Sequence, residues 1–370
     1  MKRLKAVWRV GWRVALCVFL LAWIFQSIFL SNARAAAGGE AWNKLPRLEQ
    51  WHIAWTSGPG ELWRTLCLIR PVALAASLLC GLVIILLGVA RWRMVLAVQG
   101  LQLSWGRATG IIFVAQFFNA FLLGSTGGDI IKALYAARET HHKKAEAVVT
   151  VFVDRLLGLW AMLLFAALMM IPNASLLSRR RQLGAPALMI VLMLGGASVV
   201  LGVAFWGGLS RRFPRSRHWL RRIPKGELLE RSLDACRHFG KSRGFLLKAV
   251  GLSLLVNLAC VLQMMVLSAG LDVSISSSAW LVIVPMIFCI SSLPITPSGL
   301  GVRENLFVLM LAVPEIAVPK TAALSLSLLA YASSLFWSLA GGIVYLCLKK
   351  KQHLEEVTHE ENVAVEEGST

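Results

Sequence analysis

Five ionisable residues lie at positions in this chain where apolar residues dominate. Asp154 and Arg155 are adjacent within the apolar run 146–171, while Asp129 and the pair Arg303 and Glu304 open short runs that follow glycine-rich bends. An ionisable side chain inside a membrane is expensive and usually faces a partner or a cavity. An arginine among them would bind a phosphate bidentately, or the five would form structural ion pairs. The sequence leaves both roles open. Neighbouring helix residues point about 100° apart, so Asp154 and Arg155 need not pair with each other.

Two stretches, 117–135 and 286–308, share one layout in the two halves of the chain. Each has an apolar run too short to cross a bilayer, a bend of small residues and a second short run, with Gly127 corresponding to Gly299. Paired, interrupted hydrophobic segments are typical of transporter substrate sites. Each returning helix would point its positive N-terminus at the membrane interior, which suits an anion. The alternative is that the bends only shape the fold. The predicted substrate-binding residues are Asn119, Thr126, Gly127, Gly128, Asp129, Asp154, Arg155, Ser298, Gly299, Gly301, Arg303 and Glu304.

Several polar residues have a simpler interpretation. Asn119, Asn257 and Gln263 lie in apolar runs, and we expect them mainly to join helices by hydrogen bonds. Asp129 also fits a helix N-cap. The tripeptide Arg91-Trp92-Arg93 is typical of a basic anchor at the membrane interface.

Composition defines the class of protein. Hydrophobic residues make up 57% of the chain and charged residues only 15%, which predicts an all-α polytopic membrane protein with six full spans plus two re-entrant helix pairs in inverted repeats. The net charge of +19 is explained by positive-inside topology rather than by nucleic acid. We therefore expect cytoplasmic N- and C-termini. The six long runs are 11–30, 71–90, 146–171, 185–209, 246–270 and 321–347, and the short ones are 108–124 and 279–293.

The chain divides into three parts. Residues 1–70 hold an anchor helix, or a cleavable signal peptide ending near residue 35, and an outer tryptophan-rich loop that lies in the headgroup layer or packs its rings on the bundle. Residues 71–348 form the membrane domain, with repeat A at 71–171, a linking span and basic loop at 172–245 and repeat B at 246–348. The glutamate-rich tail 349–370 is expected to be disordered.

At these motifs the chain resembles the lysylphosphatidylglycerol synthase transmembrane-domain family, which includes the flippase domain of multiple-peptide-resistance proteins. The resemblance covers about residues 60–347, with a serine at position 298 where the family often has glycine. It implies lipid translocation in the bacterial inner membrane, or work beside lipid-modifying enzymes. It does not supply aminoacyl transfer, and we expect no such domain after residue 350. The stretches that carry the resemblance are Ala90–Leu96, Phe117–Ala137, Val153–Leu159 and Leu293–Glu304.

These observations predict a lipid flippase-like transporter. A polar or anionic lipid headgroup would enter a cavity between the two re-entrant pairs, where the helix N-termini at Asp129 and Val302, with Arg155 and Arg303, would offset its charge. The expected partners are membrane lipids, either anionic phospholipid or another polar lipid, and a cell-envelope enzyme as a further partner. No nucleic acid is expected. No cofactor or metal is expected, since the cysteines and histidines show no ligand spacing.

Two alternatives belong to other classes. A membrane transferase acting on a lipid-linked sugar or polyprenyl phosphate would need Asp129, Asp154 and Glu304 to come together as an acid, base or metal cluster. An accessory scaffold for a cell-envelope synthase would use the basic loop 210–248 as its docking surface.

Overall fold

The computed structural model describes residues 22, 25–26, 29–30, 33–34, 45–121, 127–139, 144–179, 181–205, 239–240, 242–293 and 299–368. These residues form helices joined by short turns, and none of them lies in a β-strand. The helices are α1 Arg47–Cys67, α2 Pro71–Val98, α3 Trp105–Phe121, α4 Gly127–Glu139, α5 Lys144–Met170, α6 Ala174–Arg179, α7 Arg181–Phe205, α8 Arg243–Gly270, α9 Ser277–Ser291, α10 Val302–Leu311 and α11 Lys320–Gly368.

Five of these helices contain segments long and apolar enough to cross a bilayer, and each overlaps one of the six expected spans. Half of the residues in the apolar windows of α5 and α11 are buried, against 11% in α2 and α7, so α5 and α11 lie inside the bundle. The chain is a multi-pass membrane protein. The sixth expected span, 11–30, falls largely outside the described residues. The five segments are Pro71–Val98, Glu146–Met170, Leu183–Val203, Gly244–Gly270 and Lys320–Cys347.

Two pairs of shorter helices separate the long ones, as the short apolar runs predict. Helices α3 and α4 have 17 and 13 residues and pack against each other, and α9 and α10 have 15 and 10 and do the same. At about 1.5 Å per residue all four are shorter than the ~30 Å hydrocarbon core of a bilayer. Each pair is therefore a compact helical hairpin between two long helices.

Helices α2 and α8, which begin the two expected repeats, run antiparallel along each other. The backbone N–H of Arg70, just before α2, donates to the carbonyl of Gly270 at the end of α8 (3.0 Å). Near the other end of α2, Arg91 donates to the hydroxyl of Ser253 in the first half of α8 (3.0 Å). The first long helix of one half thus points opposite to that of the other.

Contacts between helices also come in matching pairs. When α2 to α5 are matched in order with α8 to α11, each of the main contacts within this set has its counterpart. Helix α3 packs on α11 as α9 packs on α5, and α4 packs on α5 as α10 packs on α11. The contact between α2 and α8 is matched with itself, because these are the first helices of the two sets. The two four-helix units are therefore packed alike.

Gln263 joins three of these helices. Its side-chain amide on α8 donates to the carbonyl and hydroxyl oxygens of Ser77 on α2 (3.1 and 3.3 Å) and to the hydroxyl of Ser333 on α11 (3.0 Å). Asn257 instead donates to the Ser253 carbonyl of its own helix (2.8 Å). The predicted joining role therefore fits Gln263, while Asn257 makes its bond within α8.

We expect Gln263→Leu to lower the free energy of unfolding by about 1 kcal/mol, because polar bonds between membrane helices contribute about that much. Denaturant unfolding in detergent micelles measures the change. Asn257→Leu is the matched control, since it removes another side-chain amide of α8 whose bond among the described residues stays within that helix. An equal loss in the two variants would contradict the joining role.

One expectation for the N-terminal part of the chain is wrong. The tryptophan-rich segment is the helix α1 rather than a loop: Ala54, Gly58 and Leu62 are spaced one turn apart and buried, while Trp51 and Trp63 are 53% and 68% exposed. Such a spacing makes one packed face and one free face. At the other end of the chain, helix α11 extends through Gly368, and no glycine or proline interrupts 343–367; the expected disorder of 349–370 stays a prediction.

Candidate functional site

A buried carboxylate shared by two cations lies at the centre of the first four-helix unit. Asp154 on α5 accepts a hydrogen bond from Arg91 Nε of α2 (2.8 Å) and another from Lys132 Nζ of α4 (2.7 Å). Asp154 is only 6% exposed. Removing one member of such a buried group leaves uncompensated charge, which is costly. This group, called here the Asp154 centre, ties three helices together.

The surroundings hold both cations of the Asp154 centre in place. Arg91 also donates to Ser253 on α8 (3.0 Å), and its guanidinium lies against Gly158, where a side chain would crowd it. The Lys132 ammonium lies 4.4 Å from the ring centroid of Trp92, a cation–π distance. Trp92 itself is fully buried. The centre therefore receives side chains or contacts from α2, α4, α5 and α8.

Asp129 and Arg155 form a second, more open pair beside this centre. Asp129 lies one turn before Lys132 on α4, and Arg155 follows Asp154 on α5. Their charged atoms are 3.6 Å apart, and the side chains are 28% and 37% exposed. As predicted, Asp154 and Arg155 do not pair with each other but with different partners. This looser pair lies between the buried centre and the surface.

The second four-helix unit has a buried ion pair of its own. The Glu304 carboxylate, fully buried, accepts from Arg303 (2.5 Å) and from the hydroxyl of Ser327 on α11 (3.2 Å). Arg303 also donates to Ser327 (3.2 Å) and lies 5.0 Å from the ring centroid of Tyr331. This group is called here the Glu304 centre. Its two opposite charges compensate each other.

One backbone N–H at the start of each short returning helix has an acceptor within the chain. Glu304 Oε2 accepts the backbone N–H of Gly301 (2.6 Å), which is half of a capping box. Asn119 Oδ1 on α3 accepts the backbone N–H of Gly128 (2.8 Å). Asn119 therefore caps α4 from the neighbouring helix, whereas Asp129 lies inside the first turn. These two N–H donors are already engaged.

Glycine is required at both bends. Gly299 and Gly301 have φ of 70° and 82°, which glycine adopts far more readily than other residues. Gly128 is required by contact instead: a Cβ there would overlap the carbonyl oxygen of Ala115 on α3 and lie 2.6 Å from the Asn119 side chain. The two bends therefore use glycine for different physical reasons.

The structure brings the predicted residues into two groups. Asn119, Gly127, Gly128, Asp129, Asp154 and Arg155 gather where α3, α4 and α5 meet, and Gly299, Gly301, Arg303 and Glu304 gather at the start of α10. Thr126 and Ser298 lie outside the described residues. Their role in binding a substrate stays a prediction.

Several residues of these centres do not emerge from the sequence. Lys132 lies one turn after Asp129, a spacing that brings both residues to the same face of a helix. This spacing is the only feature of the sequence that indicates a place for Lys132 in the site. Arg91 and Trp92 are not an interfacial anchor as expected, because α2 continues to Val98 and turns both side chains into the bundle. Arg93 instead lies over the exposed Trp105 ring at 4.4 Å, and its place at a membrane interface stays a prediction.

Two further features bear on the chemistry. In the described part of the chain no three histidine, cysteine or acidic side chains lie where they would hold a metal ion. A partly open cavity of about 440 Å³ lies at the connection between α8 and α9, and none of the predicted site residues lines it. Its lining is Met265, Ser268, Ala269, Asp272, Val273, Ser274, Ile275 and Trp280.

The fold and the two buried charge centres define a polytopic helical membrane protein with an ionised interior. The family model described as "Lysylphosphatidylglycerol synthase TM region" matches residues 50–348, and the chain belongs to this family. Membership indicates a function related to membrane lipids. No curated protein matches the chain.

Proposed function

We propose that this protein moves a polar or anionic lipid between the two leaflets of a membrane. The observation that carries the proposal is the antiparallel packing of α2 on α8, together with the matched contacts of the two four-helix units. Two similar units in opposite orientation are typical of transporters that alternate access to one site. The family's link to membrane lipids supplies the class of substrate.

In this proposal the hairpins α3–α4 and α9–α10 are re-entrant pairs of inverted repeats. Support comes from their length, shorter than the hydrocarbon core, and from the interruption of each by glycine. Interrupted backbone inside a bilayer persists only where protein or water covers its polar groups. The pairs would therefore enclose a polar path between them, and rocking of the two units would expose it to each side in turn.

The two buried charge centres would serve this path. Charges in a membrane interior are retained mainly for substrates, ions or voltage. The headgroup would pass close to the Asp154 centre and the Glu304 centre while its acyl chains stay in lipid. Exposed apolar side chains on the long helices, such as Leu79 and Leu192, fit contact with lipid chains.

We place the protein in the bacterial inner membrane with both termini in the cytoplasm. The support is the excess of lysine and arginine in the segments that this orientation puts inside. Helix α1 then lies at the outer surface. Its buried face packs on the bundle, and its exposed tryptophans would rest in the headgroup layer.

Transport is preferred here to catalysis. Two of the three carboxylates that a transferase would use, Asp154 and Glu304, are each held by a cation at hydrogen-bond distance. A carboxylate held in this way is a poor general base, because its lone pairs are engaged.

Reconstitution in liposomes tests the proposal. Vesicles with fluorescent phosphatidylglycerol, phosphatidylethanolamine or phosphatidylcholine are treated with a membrane-impermeant quencher, and we expect the protein to make inner-leaflet label of at least one lipid accessible. Asp154→Asn should slow this movement, whereas Asp272→Asn, in an exposed pair with Arg70, should leave it unchanged. Absence of movement for all three lipids would contradict transport. A new covalent lipid product would support the transferase instead.

A further inference from the structure

Positive charge is in excess in the first four-helix unit. Arg91, Lys132 and Arg155 face only two carboxylates, Asp154 and Asp129. The charged groups within electrostatic reach of Lys132 are Asp154, Asp129 and Arg91. Arg155 is matched by Asp129, so the buried pair of Arg91 and Lys132 shares a single negative charge. One buried cation is left without a counter-charge among the described residues.

An unused hydrogen-bond donor lies at the same place. Trp92, fully buried beneath the Lys132 ammonium, has an indole N–H with no acceptor in the described structure. Buried polar groups are almost always satisfied, so a buried orphan donor calls for a partner. The indole N–H, the ammonium and the guanidinium are all donors. The two cations share one carboxylate, Asp154, and the indole N–H has no acceptor among the described residues.

We propose that Arg91, Lys132 and Trp92 bind an anionic phosphate group, that of a lipid headgroup during transport. The transport part of this statement rests on the proposed function, but binding is tested separately. A phosphate supplies negative charge for the surplus cation and an acceptor oxygen for the indole N–H, and its other oxygens suit the two cations. The Asp154 carboxylate keeps the two cations in place when no phosphate is bound.

This assignment differs from the predicted one. Arg155 and Arg303 each have a carboxylate partner of their own, Asp129 and Glu304. The Glu304 centre is electrically balanced, and its carboxylate is fully buried. A phosphate approaching it would compete with the internal carboxylate, whereas at the Asp154 centre it adds the missing charge. The Asp129–Arg155 pair, close to the Asp154 centre along α4 and α5, is more exposed than that centre.

Native mass spectrometry of the purified protein tests the site with defined lipids. We expect phosphatidylglycerol to bind and diacylglycerol, which has no phosphate, not to bind. Lys132→Gln should weaken phosphatidylglycerol binding at least about tenfold, because a hydrogen bond to a charged group contributes that much or more. Lys132→Arg, which keeps the charge, should bind nearly as the parent does. Arg70→Gln removes an exposed, paired cation near the start of α2 and should change nothing.

Variants that change the net charge of the Asp154 centre in opposite directions distinguish a role in phosphate binding from a role in folding. Asp154→Asn increases the surplus of positive charge and should tighten phosphatidylglycerol binding. The double variant Lys132→Gln with Asp154→Asn should recover binding, because the charge of Arg91 then again exceeds that of the carboxylates by one. Weaker binding in Asp154→Asn than in Lys132→Gln would overturn the proposal. Thermal unfolding of each variant, with and without phosphatidylglycerol, identifies any that fails to fold, and lipid-dependent stabilisation lost only in Lys132→Gln also supports the site.

Two further measurements distinguish a lipid phosphate from free phosphate, and the proposed binding site from the proposed transport. Inorganic phosphate that displaces phosphatidylglycerol at millimolar concentration would overturn the lipid as the ligand, and its failure to do so supports the headgroup. Lipid movement in liposomes with unchanged phosphatidylglycerol binding in Lys132→Gln would overturn this site and leave transport standing. Lys132-dependent binding without lipid movement would leave the site standing and overturn transport.

Discussion

Glu304→Gln is expected to lower the free energy of unfolding by about 3–5 kcal/mol, the usual result of leaving one charge of a buried pair uncompensated. The carboxylate is fully buried and accepts from Arg303, Ser327 and the backbone N–H of Gly301. A neutral amide would leave the Arg303 guanidinium buried without its counter-charge. One of its two amide positions would also place a donor where the carboxylate accepted. Thermal or denaturant unfolding in micelles measures the loss.

Asp272→Asn is the control for this experiment. Asp272 also pairs with an arginine, Arg70, at 2.6 Å, but both side chains are more than 60% exposed. Solvent screens such a pair, and its contribution is usually below about 1 kcal/mol. A Glu304→Gln variant that unfolds like Asp272→Asn would mean that water reaches the Glu304 centre and that its burial is not what makes the pair important.

Gly128→Leu should reduce both stability and lipid movement severely, by about 3 kcal/mol or more in the free energy of unfolding. Even the first added carbon would overlap the Ala115 carbonyl oxygen and press on Asn119, which caps α4. The backbone of α3 cannot yield as a flexible side chain would, so α3 and α4 must separate. Lipid movement in liposomes and unfolding in micelles are the two measurements.

Gly195→Leu on α7 is the matched control, because a Cβ at Gly195 has nothing within 4 Å and would face lipid. Gly299→Leu should fall between the two: its φ of 70° strains any side chain, and the Ser291 carbonyl lies 3.0 Å from the added carbon. The bend motif alone predicts a similar order, with Gly127→Leu and Gly299→Leu worse than Gly195→Leu. Equal tolerance at positions 128 and 195 would contradict the close packing of the hairpin.

The long spans and the short helix pairs could be predicted because membrane thickness translates directly into run length. The apolar run 108–124 is visibly too short, and α3 ends at Phe121. The ends of the chain were harder. The alternation of tryptophan with polar residues in 47–67 is typical of a loop. The helix can be recognised only when it is known that Ala54, Gly58 and Leu62, one turn apart, are all buried.

The partners of the buried charges could not be predicted. Arg91 lies near the end of an apolar run and next to Trp92 and Arg93, a pattern typical of an interfacial anchor. Lys132 lies in a run with basic residues at its end. The sequence therefore suggests that both side chains extend towards water. Their common partner, Asp154, is 63 positions from one and 22 from the other. Which cation reaches a given carboxylate depends on how α2, α4 and α5 rotate about their axes, and no local pattern encodes that rotation.

The amino-acid sequence by itself determined that this protein resides in a membrane, which of its segments are long enough to cross it, and that charged residues lie at the glycine bends. These properties follow from transfer free energies and run lengths, which are local and additive. Only the tertiary structure decided that α2 runs against α8, that Arg91 and Lys132 share Asp154, and that Gly128 rather than its neighbours receives the Ala115 carbonyl. Those outcomes depend on contacts of a few ångströms between distant segments, where packing and charge pairing must be satisfied together.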